Sequence, residues 1–450
     1  MPSVLRKLIP AVAAVTCVFI SILITDGQGY ELRVTAAAVV LLVCCWGFRL
    51  VSEGVAAVLF FLILAGSGAV TAKHVFVGFS SPAFWLVFSG LVLGKAIASS
   101  GLSNHLASLL SPKRGANYAA VLARIIVAST LFAFLVPSAL GRIMILLPIL
   151  TGLAERYRFS KEDNGYAGIL LAGVFGTYLP AFAILPANLP NIILSGAAES
   201  VYGIHIGYME YLLLHFPVLG LVKGLLLWCF LTWMFPAQIV FSQYEEERVP
   251  WKTEQKIALL VLGAALCCWM LDSLHSISPG WIGLGAALVL LVEPKYFGQK
   301  LLADIKIETL LFIACAISVG EVMRVSGLGE YLTSNIIAQI PLQKYGVPAL
   351  LGITTGTGLL TSLPGIPSMF VPLAGELSRA ADIPLKSMLM LLVPAFSTIL
   401  LPYQAPPLIV AMHYSGMAYR KLAVACMGMA LLTIVILFPL DLFWWKLIGF

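Results

Sequence analysis

Apolar residues run along this chain in long blocks separated by short polar stretches. A helix that crosses a bilayer needs about 20 consecutive, mostly apolar residues. By that measure the uninterrupted spans read as 8–25, 34–50, 54–72, 82–98, 216–236, 257–274, 280–293, 307–323 and 422–440. Four further stretches, 119–135, 139–154, 166–194 and 387–412, are broken by Pro, Gly, Ser or Asn where a lipid-facing helix would be continuous. The longest polar segment, FSQYEEERVPWKTEQK at 241–256, falls near the midpoint.

Composition turns this pattern into a fold class. Hydrophobic residues make up 60% of the 450 and charged residues 11%, against roughly 45–50% and about 25% in an ordinary globular domain. So few charges cannot cover a soluble surface. The chain therefore reads as an all-α polytopic membrane protein, and a nucleic-acid binder, a secreted disulfide scaffold and a disordered chain are excluded. The eight cysteines lie in apolar runs without a C-x-x-C and read as small core residues. Arg6-Lys7 followed by an apolar run could pass for a signal peptide, but no small-residue cleavage site stands out, so an uncleaved first helix is expected.

The net charge of +6 has its use in orientation. With the N-terminus in the cytoplasm, and with 116–154 and 347–374 each entering and leaving by the same face, sixteen Lys and Arg fall in cytoplasmic segments and seven outside. The cytoplasmic set includes Arg49, Lys113, Arg114, Arg156, Lys161, Arg248 and Lys252, and the outer set includes Arg33, Lys344 and Arg379. About eleven transmembrane helices plus two re-entrant hairpins follow, in a multi-pass protein of a cell membrane, on this pattern a bacterial inner membrane.

The two halves also resemble one another. FWLVFSGLVLGKAIASSGL (84–102) aligns without gaps on LLFIACAISVGEVMRVSGL (310–328), PSALGRIMILLPIL (137–150) on TSLPGIPSMFVPLA (361–374), and ILPANLPNII (184–193) on LLPYQAPPLI (400–409). Three matches in one order at nearly constant offset indicate duplication, and the hairpins enter from opposite faces, so the repeat is inverted. Inverted repeats with interrupted helices point to a secondary transporter whose site lies at the midplane. The organisation expected is N-terminal helices over 1–77, a first repeat over 78–236 (hairpin 116–154, broken helix 166–194) and a cytoplasmic linker over 237–256. Helices over 257–306, a second repeat over 307–412 (hairpin 347–374, broken helix 387–412) and a last span over 413–450 complete it.

Backbone freed from a helix at membrane depth is tolerated only where protein or a water-filled cavity satisfies it. Half-helix N-termini suit an anion, whereas unwound carbonyls and hydroxyls suit a small cation. The candidate substrate residues are accordingly Ser138, Gly141, Arg142, Asn188, Ser362, Gly365 and Gln404, with Ser138, Asn191, Ser362 and Glu321 as candidates for ion coupling. Arg142 is the sharpest signal, because a guanidinium at membrane depth costs several kcal/mol unless it meets a partner or a cavity. Its fork suits a carboxylate or another oxyanion. The alternatives are a structural pair with Glu321, a cluster of backbone carbonyls, or a stand-in for sodium. Asn188 and Gln404 occupy equivalent repeat positions and face one site, unless they cap their own helices. Lys95 and Glu321 read as interfacial anchors, Glu321 also as a proton carrier, and Lys223 as a snorkelling lysine. The six histidines (His74, His105, His205, His215, His275 and His413) show no metal-ligand spacing, and no metal or cofactor is expected beyond a coupling Na+ or H+. No Ser/Lys dyad, H-E-x-x-H or Gly-rich nucleotide motif is present, so an enzyme is not expected.

With these residues in view, the chain resembles the divalent anion:sodium symporter family of the ion transporter superfamily, roughly from Val51 to the C-terminus, most specifically at GFSSPAFWLVFSGLVLGKAIASSGL (78–102). The resemblance implies a homodimer with a scaffold and an elevator-type transport domain in each protomer, moving di- or tricarboxylates or sulfate with sodium. That family carries Ser-Asn-Thr hairpin tips. Here Ser138 and Ser362 keep the Ser, while Ala139-Leu140 and Leu363-Pro364 replace Asn-Thr. The expected function is secondary transport of small anions; the alternative is a sodium-independent exporter of the same superfamily, for arsenite or a metabolite.

Overall fold

The computed structural model describes residues 3–48, 50–102, 117–239, 250–303, 305–335, 342–359 and 362–450. Arg49, Lys113, Arg114, His105, Arg248 and half of the 237–256 linker, residues 240–249, lie outside the described residues. Among the described residues the chain is helical, with no strand.

The apolar blocks became helices close to the expected bounds: Pro82–Ser100, Tyr118–Leu135, Thr253–Met270, Pro279–Val292 and Ile307–Val325. Six helical segments are long and apolar enough to cross a bilayer by themselves: Pro82–Ser100, Tyr118–Leu135, Asn164–Ala183, Tyr208–Met234, Thr253–Met270 and Tyr419–Ile448. Shorter apolar helices include Glu53–Ser67 and Leu385–Phe396. The span read from 216 begins at Tyr208 instead, because Pro217 does not stop the helix. The chain absorbs it in a π-helical segment, Phe216–Val222, before regular helix resumes at Lys223. A second π segment, Thr433–Leu437, interrupts the last span ahead of Pro439.

The cysteine expectation is corrected in half of its cases. Cys44, Cys45, Cys315 and Cys426 are buried, whereas Cys17, Cys229, Cys267 and Cys268 are exposed. An apolar run in a membrane protein supplies its outer surface as well as its core, so hydropathy alone does not assign burial.

The chain forms two compact units that alternate along the sequence. One comprises Met1–Phe84, Ile192–Ile206 and Lys306–Phe396, and the other Trp85–Asn191, Gly207–Ile305 and Ser397–Phe450. In the first unit, Gly78 lies so close to the Ala314 carbonyl that a side chain cannot be fitted, and its N–H donates to Ser318 Oγ at 3.0 Å. In the second, the Asn164–Tyr178 helix is buried on every face and packs on both Tyr118–Leu135 and Ala139–Arg156. Gly173 receives the Leu150 side chain on one side, while Gly176 lies 3.0 Å, measured from an added Cβ, from the Ile126 backbone on the other.

Candidate functional site

Three helix breaks bring together buried polar side chains of the second unit. The first lies between Leu135 and Ala139. Pro137 holds Val136 extended and has no N–H for the helix, so the preceding helix ends there. Ser138 is extended and restarts the chain as an N-cap, its Oγ accepting the Gly141 N–H at 3.2 Å.

The second break separates Asn164–Tyr178 from Leu189–Tyr202 and is filled by two short 3-10 turns, Pro180–Ala183 and Leu185–Ala187. Three prolines, Pro180, Pro186 and Pro190, prevent a continuous helix and release a run of carbonyls. Side chains take those carbonyls up. Asn188 Nδ2 donates to the Tyr178 carbonyl at 3.3 Å, and Asn191 Nδ2 to those of Ala181 and Ile184 at 3.0 and 2.8 Å. Tyr211 Oη donates to the Phe182 carbonyl at 2.8 Å.

Arg142 joins the first break to the second. It is 0% exposed. Nε donates to Thr177 Oγ1 at 3.0 Å, and Nη1 to the carbonyls of Val136 and Ala187 at 2.6 and 2.9 Å. Nη2 donates to the Thr177 carbonyl and to Asn188 Oδ1, both at 3.1 Å. A guanidinium has five N–H donors, and all five meet protein oxygens. Of the alternatives left open by the sequence, this geometry is the carbonyl cluster; no N–H of the fork is directed at a ligand.

The third break lies between Leu385–Phe396 and Pro406–Ser415, with a 3-10 turn at Pro402–Gln404. Gln404 is fully buried, and its Oε1 accepts the Leu401 N–H at 2.7 Å. Among the described residues, Gln404 Nε2 and Asn191 Oδ1 have no hydrogen-bond partner. Asn188 and Asn191 are thus used mainly on backbone, leaving one free donor and one free acceptor at the breaks.

Lys223 does not snorkel. It is 1% exposed, and its Nζ donates to the Ser397 carbonyl at 2.8 Å and to Ser397 Oγ at 3.1 Å. Hydropathy placed this lysine near a span end, but the helix begins earlier, at Tyr208, so Lys223 stands well inside it. A buried cation therefore meets freed backbone at both broken helices, Arg142 at the second break and Lys223 at the third.

The remaining expected site residues belong to the other unit. Ser362 and Gly365 form a turn there, the Gly365 N–H donating to the Ser362 carbonyl at 2.9 Å. Glu321 is 4% exposed. Its carboxylate accepts from Arg324 Nε and Nη2 at 2.9 and 2.7 Å and lies 2.7 Å from His74 Nδ1. Sequence reasoning missed Asp441, an acid in the apolar run LFPLDLFWW that is 1% exposed. Among the described residues no three His, Cys, Asp or Glu gather in a way that could hold a metal.

Comparison with known proteins bears on the whole fold. The YdaH transporter of Alcanivorax borkumensis, a crystal structure, superposes with a TM-score of 0.57 at 16% identity, covering 84% of this chain and 88% of that one. A protein of Cupriavidus necator described as a membrane protein is 22% identical, over 77% of this chain and 72% of its own. An uncharacterized transporter of Haemophilus influenzae is 18% identical over 77% of each. The family model that matches is the citrate transporter family, over residues 37–366, rather than the divalent anion:sodium symporters that the motifs resemble. The chain belongs to the citrate transporter family.

Proposed function

We propose that this protein is a secondary transporter of small di- or tricarboxylates, citrate among them, and that it works without sodium. The observation that carries the reading is the occupation of freed carbonyls by basic side chains. In transporters with discontinuous helices, unwound carbonyls coordinate the coupling sodium. Here Arg142 holds the carbonyls of Val136, Thr177 and Ala187, and Lys223 holds that of Ser397. A fixed cation at such carbonyls competes with a mobile one for the same oxygens.

On this reading the substrate is met by the groups the protein leaves over. Gln404 Nε2 is a donor for a carboxylate oxygen and Asn191 Oδ1 an acceptor for a substrate hydroxyl. The half-helix N-termini at Ser138-Gly141, Leu189 and Pro406 add partial positive charge. Ser362 and Gly365, the repeat counterparts of Ser138 and Gly141, form the corresponding turn within their own unit. An inverted-repeat protein with re-entrant hairpins and elevator motion, dimeric in a bacterial inner membrane, is consistent with this assignment. The second reading is a sodium-independent exporter, favoured by the same saturated carbonyls.

The test is uptake of radiolabelled citrate into proteoliposomes of the purified full-length protein. Saturable uptake unchanged when choline replaces sodium at fixed pH and voltage is expected. A loss of more than about tenfold in initial rate on that replacement would falsify the sodium-free reading. Efflux from loaded vesicles without any uptake would favour the exporter.

A further inference from the structure

The last span and the Tyr208–Met234 segment hold a second group of buried ionisable side chains that the substrate reading does not use. His215 and Lys223 flank the π segment Phe216–Val222, and Asp441 follows the π segment Thr433–Leu437 by four residues. The two π segments pack on each other, and the Phe438–Ile448 helix packs on the first of them. Asp441 and Lys223 attract one another through space across these packed segments without forming an ion pair. Tyr211 and His215 enter from the Tyr208–His215 helix, their rings 4.7 Å apart, and Trp445 lies 5.7 Å from His215. Cys426, from the Tyr419–Leu432 helix, lines a cleft beside Lys223 and Ser397 that is too narrow to admit a water molecule.

The hydrogen bonding of this group is lopsided. Lys223 gives its bonds to Ser397, not to the acid. Among the described residues neither ring nitrogen of His215 has a hydrogen-bond partner, and the side chain that meets the Asp441 carboxyl is Trp445, short of full hydrogen-bond geometry. A structural ion pair inside a membrane protein is retained with its oxygens bonded, because a bare buried carboxylate costs several kcal/mol. A buried carboxyl group with no cation bonded to it is instead suited to taking up and giving back a proton. Ionisable groups inside spans mark proton relays in pumps and transporters, and π turns concentrate at functional sites.

We propose that Asp441, Lys223 and His215 form a proton-carrying site, separate from the Arg142 cluster, that links proton binding to the broken helix through Ser397. The carboxylate of Asp441 takes one proton and becomes the neutral acid, so the pair passes from zero net charge to one positive charge. His215 is the relay by which the proton reaches or leaves it. Lys223 then has no counter-charge and holds the Ser397 carbonyl alone, which changes the tether on the third break. This inference rests on the reading of the chain as a secondary transporter, but its first test needs no substrate.

That test is an infrared pH titration of the full-length protein in lipid, compared with Asp441→Asn. A protonated-carboxyl band that fades as pH rises, and that is missing from the variant, is expected. A carboxyl region identical in the two proteins over the whole range overturns the proposal, whether or not citrate is transported. Should Asp441→Asn not fold, the double variant Lys223→Met with Asp441→Leu replaces the pair by apolar groups of similar volume and serves the same comparison. With citrate as the probe, the variant should lose accumulation driven by a pH gradient by tenfold or more and keep citrate/citrate exchange within about threefold. Gradient-driven accumulation equal to the unmodified protein's would overturn the coupling role.

Discussion

Arg142 Nη2 donates to Asn188 Oδ1 at 3.1 Å, and the same carboxamide donates to the Tyr178 carbonyl at 3.3 Å. One amide thereby ties the start of a helix in the first break to the end of a helix in the second. Removing the guanidinium strands five acceptors in a dry interior. Arg142→Ala should cost on the order of 3–5 kcal/mol of stability, read as a lowered melting temperature of the ligand-free protein in detergent. Arg142→Lys keeps the charge with three donors in place of five and should fall between. A melting temperature unchanged in both, with citrate affinity lost, would return Arg142 to the substrate.

Gln404 should behave in the opposite way. Gln404→Leu removes the free Nε2 donor and the acceptor of one N–H, so stability should drop by only about 1 kcal/mol. The lost bond to a carboxylate is worth about 1.5–3 kcal/mol, a weakening of roughly 10- to 150-fold in citrate affinity by isothermal titration. Affinity within threefold of the parent sinks the assignment.

Gly78→Ala places a Cβ on the Ala314 carbonyl, where two backbones meet and neither can yield. A loss of about 1–3 kcal/mol or more is expected, seen as aggregation on size-exclusion chromatography after extraction. Ser318→Ala removes only the hydroxyl that accepts the Gly78 N–H and should cost about 1 kcal/mol.

The proposed inverted repeat makes a topological prediction. In a background with Cys17, Cys229, Cys267 and Cys268, the exposed cysteines, changed to Ala, a cysteine at Lys161 should react with an impermeant maleimide only from the cytoplasm. One at Arg379 should react only from outside. Labelling of both from the same face removes the inversion.

Much of the helical layout was legible because a 20-residue apolar requirement leaves long, plain traces, and the breaks were legible because Pro180, Pro186, Pro190 and Pro406 cannot continue a helix. The chemistry at the breaks was less so. Arg142 announces a buried donor set, but its acceptors come from residues 136, 177, 187 and 188, and backbone carbonyls carry no sequence signature. Lys223 was misread because its burial depends on packing by other helices, with Phe175 and Leu179 on one side and Ser397 and Cys426 on the other. Asp441 fell one residue past the last span as read from 422–440; extending that span through LFPLDLFWW would have flagged an acid inside it.

The Asn164–Ala183 segment has no exposed face. It carries Thr177 and Tyr178, the centre of the Arg142 cluster, and packs on the helices Tyr118–Leu135 and Ala139–Arg156 of its own unit. Acyl chains therefore do not touch it, and bilayer thickness or lipid headgroup can act on the cluster only by bending the helices around it. Exchange of native lipid for detergent should loosen the periphery well before it disturbs the polar centre, which makes this protein one whose substrate chemistry can be studied out of the membrane.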